Sequence, residues 1–310
     1  FMSQTSAAAV KKQKRRMGTE EKALHLMILP GMIILAIFVF APLVGSMMAF
    51  ENYVPAKGLL GSKWVGLENF KFIFSLPDSR QVFFNTLIIA FAKLILNIIV
   101  PVTFAVLLNE IRAKFFKKTF QTIVYLPHFL SWVVLATVIT NMFSLEGPFN
   151  AVIQAFGGSP IQFLADNHWF RKVIVGTDVW KEFGYNSVVY LAALTSIDPG
   201  LYEAASIDGA NRWKQTIHIT LPALMPTMVL MTALNLGNIL NAGFDQIFNL
   251  YNPIVYETAD IIDTYVYRIG MVERQYSIGA AVGLLKSVIS FILILSANKC
   301  AKKATGSGIF

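Results

Sequence analysis

Long apolar runs alternate with polar connections along the chain, and that alternation sets the architecture before any motif is read. About 20 apolar residues cross the hydrocarbon core of a bilayer as a helix. Runs of that order occur at 24–50, 84–109, 119–143, 172–196, 221–245 and 278–298. The pattern predicts an all-α membrane protein of six transmembrane helices, because a helix satisfies its own backbone groups in lipid. The first run is uncharged from Ala23 to Phe50, too long for the apolar core of a secretory signal, and reads as a retained helix. These runs lay out a basic tail (1–22), a first helix with an outward segment (23–83), a core of five helices (84–298) and a second tail (299–310).

Composition agrees with the pattern. Of 310 residues, 55% are hydrophobic and 14% are charged, where soluble domains carry about 25% charged residues. A net charge of +8 raises the question of nucleic acid. The cations, however, cluster beside the apolar runs, which is the membrane-orientation pattern, so no nucleic-acid partner is expected. Lys11–Arg16, Lys22, Arg112–Lys118, Arg212, Lys214 and Lys299–Lys303 fall on one side. They outnumber Lys57, Lys63, Lys71, Arg80, Arg171, Lys172, Arg268 and Arg274 on the other. Both termini and the 197–220 loop are therefore expected in the cytoplasm, with the connections 51–83, 144–171 and 246–277 outside. Cys300, alone of its kind, excludes an internal disulfide framework.

The loop within 197–222 carries the strongest local signal. Asp198-Pro199 is a helix start, with Asp as cap and Pro at the first helical position. Leu201 to Ile207 is rich in helix formers, and Gly209 can take the left-handed conformation that ends a helix. Asp208 is placed to cap a second helix near Ala210, and Thr220-Leu221-Pro222 restarts the chain into the next span. The prediction is a helix, a sharp turn and another helix at the membrane surface.

That loop reads Glu203-Ala204-Ala205-x-x-Asp208-Gly209-Ala210, with Pro222 and Pro226 behind it. It resembles the EAA loop of permease subunits of type I bacterial ABC importers. Trp64–Phe70, Asn85-Thr86 and Leu191–Leu194 are similar to sugar-importer permeases as well. Asn211–Lys214 with Thr220–Pro222 is similar to permeases for complex oligosaccharides, including the alginate importer. The resemblance implies an ABC importer type I permease fold in the bacterial inner membrane. Glu203, Ala204, Ala205, Asp208, Gly209 and Ala210 would dock into a cytoplasmic ATPase. It also implies a second permease subunit, two ATPase subunits, an extracytoplasmic solute-binding protein and a saccharide moved by alternating access. Many such permeases carry a bulky aromatic where this chain has Thr216, and Trp213 offers a substitute anchor.

Polar groups inside the spans are the other candidate chemistry, since ionisable residues in a membrane face protein or a water-filled cavity. Asp178, Glu182, Tyr185 and Asn186 share one face of the fourth span at 100° per residue. Asn235, Asn238, Asn241 and Asp245 share an arc of the fifth, near Gly237 and Gly243. Two readings stand: these faces hydrogen-bond a sugar's hydroxyls along its path, or they join helix to helix. Lys93, Lys181 and Lys286 snorkel or pair with Asp178 or Glu182. His25, His128, His168 and His218 are isolated and show no metal-ligand spacing. No catalytic set emerges, and no GxxxxGK[ST] loop appears. The chain is thus not expected to be an enzyme by itself or to hold a cofactor, with ATP and magnesium on the partner ATPase. A self-contained channel or ion-coupled transporter is the rival reading.

Overall fold

The structure, a computed structural model, describes residues 19–111, 113–236 and 239–305. The basic run Lys11–Arg16, Arg112, Gly237 and Asn238 lie outside them. The described residues up to 47 and those from 48 onward form two compact units. The first is one helical run: α1 (Thr19–Leu35), a π-helical turn at Ala36–Phe40, then Ala41–Gly45. The residues from 48 join the second unit, where Ala49, Ile73 and Val82 share a core with Ile262, Tyr265 and Ala281.

The second unit opens with a short antiparallel pair, β1 (Glu51–Asn52) and β2 (Lys63–Trp64). It explains much of the Trp64–Phe70 stretch. Trp64 stacks on Phe50, and Asn69 Nδ2 donates to the carbonyls of Ala49 and Glu51, both at 2.9 Å. Helix α2 (Glu68–Ser75) leads into α3 (Pro77–Glu110), then α4 (Lys114–Tyr125), α5 (Trp132–Met142) and α6 (Pro148–Ala155). There follow α7 (Asn167–Thr195), α8 (Pro199–Ile207), α9 (Arg212–Gln215), α10 (Leu221–Leu236), α11 (Phe244–Leu250), α12 (Ile262–Val266) and α13 (Tyr276–Thr305).

Helices occupy all six apolar runs, and among the described residues four helical stretches are long and apolar enough to cross a membrane. They are Ala23–Phe50, Pro77–Glu110, Arg212–Leu236 and Tyr276–Ser296. The run 119–143 departs from the single helix expected of it. It folds as two helices bent by 106°, Lys114–Phe129 and Trp132–Met142. Pro127 ends the first in a 3-10 turn, and Ser131 caps the second by accepting from the Val134 N–H at 3.4 Å. Helix α7 has 29 residues, ample to cross, with charged side chains interrupting its apolar surface.

Helices α3 and α7 run parallel and form the spine of the unit. At one end Arg171 and Asn85 hydrogen-bond, and at the other Val102 and Ala105 pack with Tyr190 and Leu194. The Asn85-Thr86 pair pins the segment 257–262 to this spine. Asn85 Nδ2 donates to the carbonyls of Glu257 and Asp260 at 3.0 and 3.1 Å, and Thr86 Oγ1 accepts from the Ile262 N–H at 2.9 Å.

Candidate functional site

The loop folds as a helical hairpin. Asp198 caps α8, its Oδ1 accepting from the Gly200 N–H at 2.9 Å, and Pro199 occupies the first turn. The Ala210 N–H returns to the Ala205 carbonyl at 2.8 Å, while Gly209 sits at φ +78° in the left-handed region. Two expectations are corrected here. Asp208 closes α8, and the cap of α9 is Asn211, whose side chain accepts from the Lys214 N–H at 2.9 Å. The left-handed glycine consumes the turn between them, so the capping position falls later. Nor does the chain restart at Thr220, because a π-helical turn at Thr216–Thr220 carries α9 into α10 as one helical run.

Gln215, which the loop pattern gave no reason to single out, ties the hairpin together. It is buried, and its Nε2 donates to Ser206 Oγ at 2.9 Å and to the Ala210 carbonyl at 3.2 Å. Tyr202 and Thr220 share a 3.0 Å hydroxyl contact across the base. The backbone groups of the turn are thus met internally, and Glu203, Ala204, Asp208 and Gly209 stay exposed, with Ala205 and Ala210 half-buried. Ile207 is 87% exposed and Trp213 is 71% exposed, so the tip presents apolar surface that its own fold leaves uncovered. Beside it, Glu203, Tyr202, Arg212 and Glu110 line a cleft of about 350 Å³ at the C-terminal end of α3.

A second cleft, of about 290 Å³, lies within the bundle. Asp178, Glu182 and Asn186 line it from α7, Asn235 from α10, and Asn241 from the chain beyond. Tyr185 departs from this set: its ring stacks on His128 at 3.9 Å. The arc expected of the fifth span also breaks. Helix α10 ends at Leu236, and Gly243, at φ +97°, precedes the separate helix α11. Glycine favours such breaks because its backbone is costly to fix in a helix and free to turn left-handed. Asn241 consequently stands in a segment without regular structure, and Asp245 lies exposed on α11, away from the cleft lining. Asn238 lies outside the described residues.

The charges in the cleft are paired. Lys93 Nζ meets Asp178 Oδ1 at 3.0 Å, and Asn97 Nδ2 donates to the other Asp178 oxygen at 2.9 Å. Glu182 takes Lys181 at 3.2 Å and His128 Nδ1 at 2.7 Å, so His128 is not isolated. Lys286 pairs with Asp263, not with Asp178 or Glu182, at 2.6 Å, and also donates to Asn241 Oδ1 at 2.7 Å. The other polar side chains facing the cleft are amides: Asn97, Asn186, Asn235 and Asn241. Amides donate and accept, as a polyhydroxylated solute requires. Among these, Asn97 is a residue that span-by-span reading missed, since one amide in an otherwise apolar stretch of α3 carries no periodic signal.

Residues 101–304 match the family described as binding-protein-dependent transport system inner membrane component. The chain is 41% identical over 309 residues to the polygalacturonan/rhamnogalacturonan transport system permease protein YteP of Bacillus subtilis (strain 168), covering 98% of this chain and 96% of that one. It superposes with a TM-score of 0.84 and 37% identity on a chain of a bacterial ABC transporter involved in import of the acidic polysaccharide alginate, covering 92% and 97% of the two chains. The same transporter type, solved with an alginate pentasaccharide-bound periplasmic protein, gives a TM-score of 0.85 at 36% identity, covering 93% and 97%. The chain therefore belongs to the binding-protein-dependent transport system inner membrane components, the permease subunits of bacterial ABC importers.

Proposed function

We propose that this permease carries oligosaccharides or polysaccharide fragments, of the kind named for its polygalacturonan/rhamnogalacturonan- and alginate-transporting relatives, through the inner membrane by alternating access. The observation that carries the reading is the 198–215 hairpin, internally hydrogen-bonded yet exposed along Glu203, Ala204, Asp208 and Gly209. A cytoplasmic ATPase grips that hairpin, and nucleotide-driven closure of two such ATPases rocks the attached helices α7 and α10. A second permease subunit completes the path, and an extracytoplasmic binding protein delivers the sugar. Asp178, Glu182, Asn186, Asn235 and Asn241 line this chain's share of the path, where amides read hydroxyl groups. Both termini and the hairpin lie on the cytoplasmic side.

The reading is tested with the assembled complex in proteoliposomes. ATPase rate and uptake are measured with binding protein loaded with oligogalacturonate, alginate oligosaccharide or a neutral oligosaccharide. Stimulation by at least one saccharide is expected. Absence of stimulation by all, or ATP-independent flux through this chain alone, would favour the ion-coupled or channel alternative.

A further inference from the structure

Lys93 occupies a node where three elements meet. It is 7% exposed, and its ammonium makes three contacts. One is Asp178 on α7 at 3.0 Å. The second is the Ala242 carbonyl at 2.8 Å, in the segment after the α10 break, and the third is Gln246 Oε1 on α11. Gln246, fully buried, passes the tie onward: its Nε2 donates to the Ile174 carbonyl at 2.8 Å and Thr177 Oγ1 at 2.9 Å on α7. Gly243 closes over the node, since a Cβ there would stand 2.6 Å from Lys93 Nζ. An ammonium has three donors and no more, so Lys93 is saturated by protein.

A saturated buried cation does not bind solute, but it does fix whatever its donors hold. We infer that Lys93 is a positioning residue of the solute path, setting where the broken segment 239–243 lies so that Asn241 faces Asp178 and Asn186 across the cleft. The inference rests on the proposed importer reading for its functional consequence, and on the three contacts for its geometry. A plain ion pair would need only Asp178. The two further bonds, to Ala242 and Gln246, are what make the lysine a clamp on the break.

The distinction yields a test. Removing the lysine alone leaves the half-buried Asp178 without its counter-charge, which damages a membrane bundle. The informative variant is therefore K93M/D178N, which removes both charges together, compared with K93M and D178N alone. In a Cys300→Ser background, N241C is labelled by a maleimide in the assembled complex, and half-saturating and maximal rates of sugar-stimulated ATPase are measured with loaded binding protein. The clamp predicts that K93M/D178N inserts and assembles, yet its N241C labelling rate shifts by about tenfold, the scale of one charge-assisted hydrogen bond. Its half-saturating concentration rises more than its maximal rate falls. Parental labelling and kinetics in K93M/D178N would overturn the inference and reduce Lys93 to a counter-charge. A shifted labelling rate in K93M/D178N, with a parent complex that no saccharide stimulates, would uphold the clamp and refute the sugar reading.

Discussion

Gly209 shows most directly how one residue's backbone shapes the hairpin. It sits at φ +78° with nothing within 4 Å of where a Cβ would lie. Space is therefore no obstacle to substitution, and the obstacle is conformation, which costs an L-residue about 1–2 kcal/mol and a β-branched one more. G209V is expected to insert normally while the hairpin turn distorts, so that ATPase co-purification weakens and uptake falls by about tenfold or more. Normal uptake by this variant would separate the hairpin from coupling. Trp213 makes the complementary case. Most of its ring is solvent-exposed, so W213A should leave the melting temperature of the isolated permease unchanged. A buried aromatic anchor at an interface is commonly worth about 2 kcal/mol or more, so ATPase binding by W213A should weaken by at least about tenfold. Equal binding would show that the ATPase grips the hairpin elsewhere.

At the scale of elements, the spacing between helices depends on small residues that periodicity does not flag. A Cβ on Gly184 of α7 would stand 2.3 Å from the Val124 carbonyl oxygen of α4, with backbone rather than a movable side chain in the way. G184A must push α4 away from α7, at a cost of about 1–3 kcal/mol by the measure of overpacked cores. G176A, one face along the same helix with nothing within 4 Å, is the control and should be tolerated. A lower melting temperature for G184A but not G176A checks the packing. Equal values would deny the close approach. The same helices mark what the sequence could and could not tell. Apolar runs fall on the four helical stretches long and apolar enough to cross a membrane among the described residues, because hydropathy measures the solvent each helix meets. The 106° bend was hidden, because Pro127 resembles Pro101 and Pro226, which lie inside α3 and α10 without breaking them. Only the Ser131 cap separates the cases, and a lone serine is too common to signal. The hairpin was legible down to Gly209 because caps and left-handed glycines are local. Of the Lys93 node only the pairing with Asp178 was legible, because Ala242 and Gln246 lie 149 and 153 residues away.

Across the whole molecule the two ends of the second unit differ in kind. At one end the β1–β2 pair meets the start of α13 through the Tyr53 N–H and Ser277 Oγ at 2.8 Å. At the same end Asn252 Nδ2 donates to the Leu164 carbonyl at 2.8 Å, joining two more of the long connections. Asn85 and Arg171 anchor them to the spine. At the other end the hairpin meets the last turn of α3, where Arg212 stands 3.7 Å from Glu110. The connections expected outside are thus gathered together, opposite the hairpin, and the lysine and arginine clusters predict a cytoplasmic place for the hairpin's end. Single cysteines in a Cys300→Ser background make that assignment measurable, with both probe sites exposed. In right-side-out vesicles, a membrane-impermeant maleimide should label S159C at once and spare K214C until detergent opens the membrane. Labelling of K214C in intact vesicles would put the hairpin where no nucleotide-hydrolysing subunit can reach it, and the coupling of its motion to transport would lose its physical basis.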